Sequence, residues 1–225
     1  MDMKKIITCA ALLAGIVFFN GRLNAQVESD IVGYTTITTV PGFNMLGCVF
    51  NGLDGNPLPL NQIVSGDFQD NDAIQVYDAV KGYTSYTYWK DYGGWLDGDF
   101  NPATTAIKPG TAFWLNTPGR SVVVTLQGAV NTDTYAYVAK RGLQMVSSAL
   151  PIDVDLNNTA WEGLVDGDEI QVRENGAYTS YTYWKDYGGW LDGDFAPVAK
   201  PIAKGTSVWL KVANDGAKFT IQGLN

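Results

Sequence analysis

The sequence predicts an all-β protein: two tandem, homologous β-sandwich or small-barrel modules, a pseudo-symmetric duplication preceded by a signal peptide. Three observations predict it. Short β-branched and aromatic runs recur between Gly, Pro, Asn and Asp turn residues. No long stretch carries the 3.6-residue period of an amphipathic helix. One string of eighteen residues, YTSYTYWKDYGGWLDGDF, occurs at 83–100 and again, unchanged, at 178–195.

From the N-terminus, Lys4 and Lys5 precede an apolar run from Ile6 to Phe19, and Ala25 stands before Gln26. That is the pattern of a secretory signal peptide over residues 1–25, and the run is too short to span a bilayer comfortably. Cys9 lies inside this run without the small preceding residue of a lipoprotein site. IVGYTTITTV (31–40) and GFNMLGCVF (42–50) read as strands, and NGLDGN (51–56) reads as a turn. A short helical turn is expected near Leu58–Ile63 or Trp161–Leu164. YTSYTYW, TAFWL (111–115), SVVVTLQ (121–127) and KFTIQ (218–222) are further strands, with LDGD (96–99) and NDG (214–216) as turns.

The duplication extends beyond the identical block. DNDAIQV (70–76) matches DGDEIQV (166–172), IKPGTAFWL (107–115) matches IAKGTSVWL (202–210), and TLQG (125–128) matches TIQG (220–223). Upstream, GFNMLGCVF matches GLQMVSSAL (142–150), and the offset drifts from 100 to 95, as small loop deletions would cause. The copies are expected at 27–130 and 131–225. LQGAVNTDTYAYV (126–138) carries one into the next without a Pro- or Ser-rich linker, so the copies should pack rigidly.

Composition removes several function classes. The formal charge is −8, and loss of the leader takes it to about −10. Such a surface repels phosphate backbones and anionic lipid, so neither nucleic acid nor membrane insertion is expected. The chain has no histidine, which excludes Ser–His–Asp, Cys–His and imidazole–metal chemistry. Beyond the leader only Cys48 remains, in the apolar run NMLGCVF, where it reads as a small core residue.

Each copy resembles a β-module common in secreted and cell-surface proteins of bacteria and archaea. That module has a GWN-L-I-S-like element, here Gly42-Phe43-Asn44-Met45-Leu46-Gly47 and, more loosely, Gly142-Leu143-Gln144-Met145-Val146-Ser147. It continues through a V-Y-x-[YW]-D-like strand, here IQVYDAVKGY. It closes with Pro109-Gly110-Thr111-Ala112-Phe113-Trp114-Leu115 and Thr125-Leu126-Gln127-Gly128. The second copy departs at Lys204 and Val208. The resemblance implies an extracellular β-protein and transfers no catalytic residue.

The repeated block holds the candidate site. Along a strand, neighbours alternate faces. Tyr86 and Tyr88 therefore share a face with Thr84 and Lys90, and Tyr83, Ser85, Thr87 and Trp89 share the other. In the simplest reading the block is a hairpin that fills its own core, with Gly93-Gly94 and Asp97-Gly98 as turns. Glycan binding is the more specific reading, because sugar rings stack on aromatic faces and their hydroxyls need acceptors. Its residues are Trp89, Tyr92, Trp95, Asp97 and Asp99, and in the second copy Trp184, Tyr187, Trp190, Asp192 and Asp194, with Asp91 and Asp186 beside them. Two rigidly spaced sites would add avidity on a polysaccharide.

Calcium is a further candidate, held by Asp91, Asp97 and Asp99 and by Asp186, Asp192 and Asp194. No other cofactor is implied. An enzyme is the least supported class, with Asp97 and Asp99 as a carboxylate pair for glycoside hydrolysis. The alternative of another class is a structural subunit of an extracellular fibre or surface layer. It would self-assemble through YTSYTYW, which is uncharged over seven residues. The expected location is secreted or cell-surface, without a covalent anchor. From Asn101 to Gly128 only nine of twenty-eight positions repeat at offset 95, so eighteen identities in a row need a local cause. That cause is a demanding hairpin core, a twin binding surface, or recent copying of one block onto the other.

Overall fold

The computed structural model describes residues 31–78 and 82–224, so the expected leader, with Cys9, lies outside the described residues. The protein is all-β, and its small sheets are arranged like the blades of a four-bladed propeller. The first half contributes β1 (Val32–Thr38), β2 (Gly42–Gly47), β3 (Phe50–Asn51), β4 (Leu58–Pro59), the single turn α1 (Leu60–Ile63), β5 (Val64–Ser65) and β6 (Ala73–Asp78). It continues with β7 (Gly82–Trp89), β8 (Gly94–Leu96), β9 (Ala106–Ile107), β10 (Ala112–Thr117) and β11 (Val123–Val130). The second half contributes β12 (Tyr135–Val138), β13 (Gly142–Ser147), β14 (Ala160–Glu162) and β15 (Glu169–Glu174). After these come β16 (Ala177–Trp184), β17 (Gly189–Leu191), β18 (Ser207–Val212) and β19 (Lys218–Ile221).

Two five-stranded sheets share one strand order, β2-β10-β6-β7-β8 and β13-β18-β15-β16-β17. Each faces a smaller sheet: β1-β11-β3, with β5 also on β11, in the first half, and β12-β19-β14 in the second. The pairing registers between these strands are antiparallel, as tight Gly- and Asn-rich turns permit. The single helical turn expected near Leu58–Ile63 or Trp161–Leu164 forms at the first of the two places, as α1. At the second, Ala160–Glu162 pairs with β19 and places Trp161 opposite Phe219. A cross-strand aromatic pair outweighs the weak helical preference of so short a segment.

The period-2 alternation drives the cores. In the first half Leu46, Phe50, Leu60, Ile74, Phe113, Leu115, Val124 and Leu126 are buried together between the facing sheets. In the second, Leu150, Leu156, Ile170, Trp190, Leu210 and Phe219 do the same. Each such side chain contributes about 1.5–3 kcal/mol by leaving water. A third cluster bridges the halves: Met45, Ala112 and Met145 are buried beside Trp114 and Trp209, whose ring centroids lie 6.2 Å apart. Ile31–Asn225 is accordingly one compact unit. Cys48 is a core residue: it is buried, and burial pushes its thiol up to about 12. Among the described residues no helix is long and apolar enough to cross a membrane.

Candidate functional site

The identical blocks fold alike. Tyr88 donates its N–H to Asp72 O (2.8 Å) and accepts from Asn71 N–H (3.2 Å), which ties the end of β7 to the chain leading into β6. Tyr86 is buried and Tyr88 packs on the core, while Tyr83 is 47% exposed. Alternation sorts these residues into two sets, and it is the Tyr86 and Tyr88 set that turns to the core. After Trp89 the chain makes a 3-10 turn over Lys90–Tyr92, closed by Gly93 at φ 87°. The second block repeats it over Lys185–Tyr187, closed by Gly188 at φ 90°. Glycine suits both closures because a Cβ would cost energy in that region.

Trp95 and Trp190 leave the expected site. They are 3% and 0% exposed. Trp95 packs edge-on against Phe68 at 4.9 Å and Tyr88 at 5.3 Å. Trp190 packs against Trp161 at 5.2 Å and Tyr183 at 5.5 Å. Each serves as a core anchor, and neither offers a face to a ligand.

The acidic residues divide. Asp97 Oδ1 accepts the N–H groups of Asp99 and Asn101, each at 2.9 Å. These donors, Asn101 first, hold its carboxyl below the usual carboxylate range. Asp192 Oδ1 accepts from Asp194 and Ala196 in the same way, each at 2.9 Å. Both carboxylates cap their own turn. Asp91, Asp99, Asp186 and Asp194 are exposed. Among the described residues no three carboxylates converge on a point that could hold a metal ion. Asp91, Asp97, Asp99, Asp186, Asp192 and Asp194, the residues named for calcium, are not gathered into such a cluster.

Phe100 and Phe195 emerge where sequence reading does not place them. The sequence puts the tight turn at Asp97-Gly98. The strained residue is instead phenylalanine, at φ 62° in Phe100 and 60° in Phe195. Phe100 donates its N–H to Asp97 O (3.1 Å), and Asp97 donates its own to Asn101 O (2.9 Å). This five-residue loop puts its fourth residue in the left-handed region. A bulky residue there costs about 1–3 kcal/mol. Burial of the side chain does not offset that cost, for Phe100 is 61% and Phe195 62% exposed.

The strained rings complete a surface set. Phe100 lies 6.2 Å from Trp89 and 6.2 Å from Tyr92, and Tyr92 is 69% exposed. Phe195 lies 6.2 Å from Trp184 and 6.2 Å from Tyr187, which is 68% exposed. Each half therefore presents three neighbouring rings, two of them open to water, with an exposed Asp and Lys alongside. The arrangement can stack against apolar faces and accept hydrogen bonds. No family model, curated protein or solved structure matches the chain.

Proposed function

We propose that the chain is a secreted, non-enzymatic interaction protein, two tandem copies of one β-module, that binds glycan chains through its twin aromatic sets. One observation carries the reading: Phe100 and Phe195 are held in a costly backbone conformation with their rings in water. Strain persists where surrounding structure imposes it, and it clusters at ligand contacts. Trp89, Phe100 and Tyr92 supply stacking faces, and Asp99 an acceptor. Trp184, Phe195, Tyr187 and Asp194 do the same in the second copy. An open set of rings, in place of a closed pocket, suits the flat side of an extended polysaccharide better than a single sugar. Two sets on one compact unit add avidity along a repeating chain. The leader and acidic surface suit a protein exported to meet such polymers.

The test is retention on a panel of insoluble and soluble polysaccharides, with tryptophan fluorescence as the second readout. Phe100→Gly plus Phe195→Gly should weaken retention at least tenfold. Stability should hold or rise by up to about 1 kcal/mol, since glycine relieves the left-handed strain. Either single variant should lose the avidity and keep weak binding. Absence of retention on every polysaccharide, or full retention by the double variant, overturns the reading.

A further inference from the structure

The edge strand β1 points to a second copy of this chain. Val130 donates its N–H to Ile31 O (2.7 Å) and Thr39 donates to Val122 O (2.9 Å), so the backbone groups of the odd-numbered residues face β11. Parity then directs the N–H and C=O of Val32, Tyr34, Thr36 and Thr38 to the opposite side. Among the described residues no strand pairs there, since β1 ends its sheet. The side chains on that parity are exposed, Val32 at 63% and Tyr34 at 74%. From Ile31 to Val40 the segment carries no charge and no proline. Edge strands are ordinarily protected by lysine, proline, a bulge or a covering element, and among the described residues β1 has none of these along its length.

The chemistry of an unpaired ladder calls for another strand. Other open stretches are shorter. β8 covers only Thr87–Trp89 of β7, which leaves Tyr83 and Ser85 as its outward residues, and at the matching stretch of β16 the Arg173 guanidinium lies 5.1 Å from the Tyr178 ring centre. YTSYTYW, the pairing edge expected from the sequence, is open only over its first half, because Thr87–Trp89 pair with β8. In β1 the whole strand is open.

We infer that two copies associate by antiparallel pairing of β1 with β1, about a two-fold axis at Thr35. In that register Tyr34 faces Thr36 of the second copy and Val32 faces Thr38, and all four outward residues join the ladder. Tyr–Thr and Val–Thr are favourable cross-strand pairs, and no like charges meet despite the chain's formal −8. The contact is self-complementary, so it closes as a dimer and does not run on as a fibre. Such a dimer would present four aromatic sets, although its formation does not depend on what they bind.

The test uses the chain from Gln26, which contains the whole compact unit, in sedimentation equilibrium and hydrogen exchange from low to high micromolar concentration. A dimer is expected, with the Tyr34 and Thr36 amides gaining protection as concentration rises. Thr36→Pro removes an N–H that the internal ladder does not use, a position where edge proline is tolerated. Thr36→Lys places a charge in the pairing strand. Both variants should be folded monomers by circular dichroism and sedimentation. Should the proline variant misfold, the lysine variant decides. A wild-type monomer at every concentration overturns the inference, and so does a dimer unchanged in folded Thr36→Lys. Protection of Tyr34 and Thr36 that ignores concentration overturns it as well, by showing the edge covered from within the chain.

Discussion

In the first block Trp89 and Phe100 stand 6.2 Å apart with ring planes at 32°; in the second, Trp184 and Phe195 stand 6.2 Å apart at 33°. What lies beneath them differs. Trp95 rests on Phe68 and Trp190 on Trp161. Tyr86 is buried, with its hydroxyl bonded to Thr105, whereas Tyr181 is half-buried. Buried Asp72 accepts the Gln69 N–H (2.9 Å) and pairs with Arg120, whereas buried Asp168 accepts the N–H groups of Val165 (2.9 Å) and Ala213 (2.8 Å). Identical outward geometry over unlike supports means that the exposed rings are positioned locally. The 3-10 turn, the aspartate-capped loop and the left-handed Phe set them, and the core beneath needs only to fill its volume.

The largest effect that can break this comparison is removal of the buried indoles. Trp95→Ala and Trp190→Ala should each cost about 3–5 kcal/mol, read by urea denaturation, because a large cavity replaces a packed ring. Conservative replacement should separate the halves. Trp190 Nε1 is buried without a hydrogen-bond partner, so Trp190→Phe also removes an unpaired donor and should cost less than Trp190→Ala by a wide margin. If either alanine variant unfolds no more easily than the native chain, the blocks are not anchored from beneath.

Next in size is the ion pair that the second half lacks. Asp72 is almost wholly buried and Arg120 is one-fifth exposed. Ninety-five residues on from Arg120 stands Asp215, which accepts the Arg141 N–H at 2.8 Å and gives Asp168 no cation. Arg120→Ala strands a buried carboxylate and should cost about 3 kcal/mol, with Asp72→Asn in the same chain restoring part of it. A negligible loss in thermal denaturation would show that backbone donors suffice for Asp72, as they do for Asp168.

The all-β class was legible because β-branched runs and turn residues alternate along the whole chain. The placing of Tyr86 and Tyr88 on one face was legible because strand parity needs only spacing, whereas which face turns inward was not, since neither is purely aliphatic. Burial of Trp95 was not, since Gly94-Trp95-Leu96 is covered on both faces and period-2 alternation fails there. Phe100 was missed because Gly98 is the expected turn-former. The signal lay in Asp97, whose side chain can cap residues two and four positions on and thereby fix the loop around any fourth residue. The Trp161 strand was hidden because its partner, Phe219, is distant in sequence.

The smallest effect tests whether the blocks are locally equivalent at the loop that Asp97 and Asp192 cap. Asn101 offers Asp97 a side-chain N–H at 3.5 Å, which Ala196 cannot offer Asp192. A carboxyl whose pKa falls on folding contributes stability that is present above its unfolded pKa of about 3.9 and is lost as pH drops through the folded value. The first turn should therefore loosen only in acid, below the ordinary carboxylate range. Asn101→Ala keeps the two backbone donors, so the Asp97 pKa, followed by carboxyl-carbon NMR, should rise slightly and stay below the usual range. A full return to the ordinary value would mean that the Asn101 side chain holds the first loop. The twin geometry would then arise by different means in the two halves.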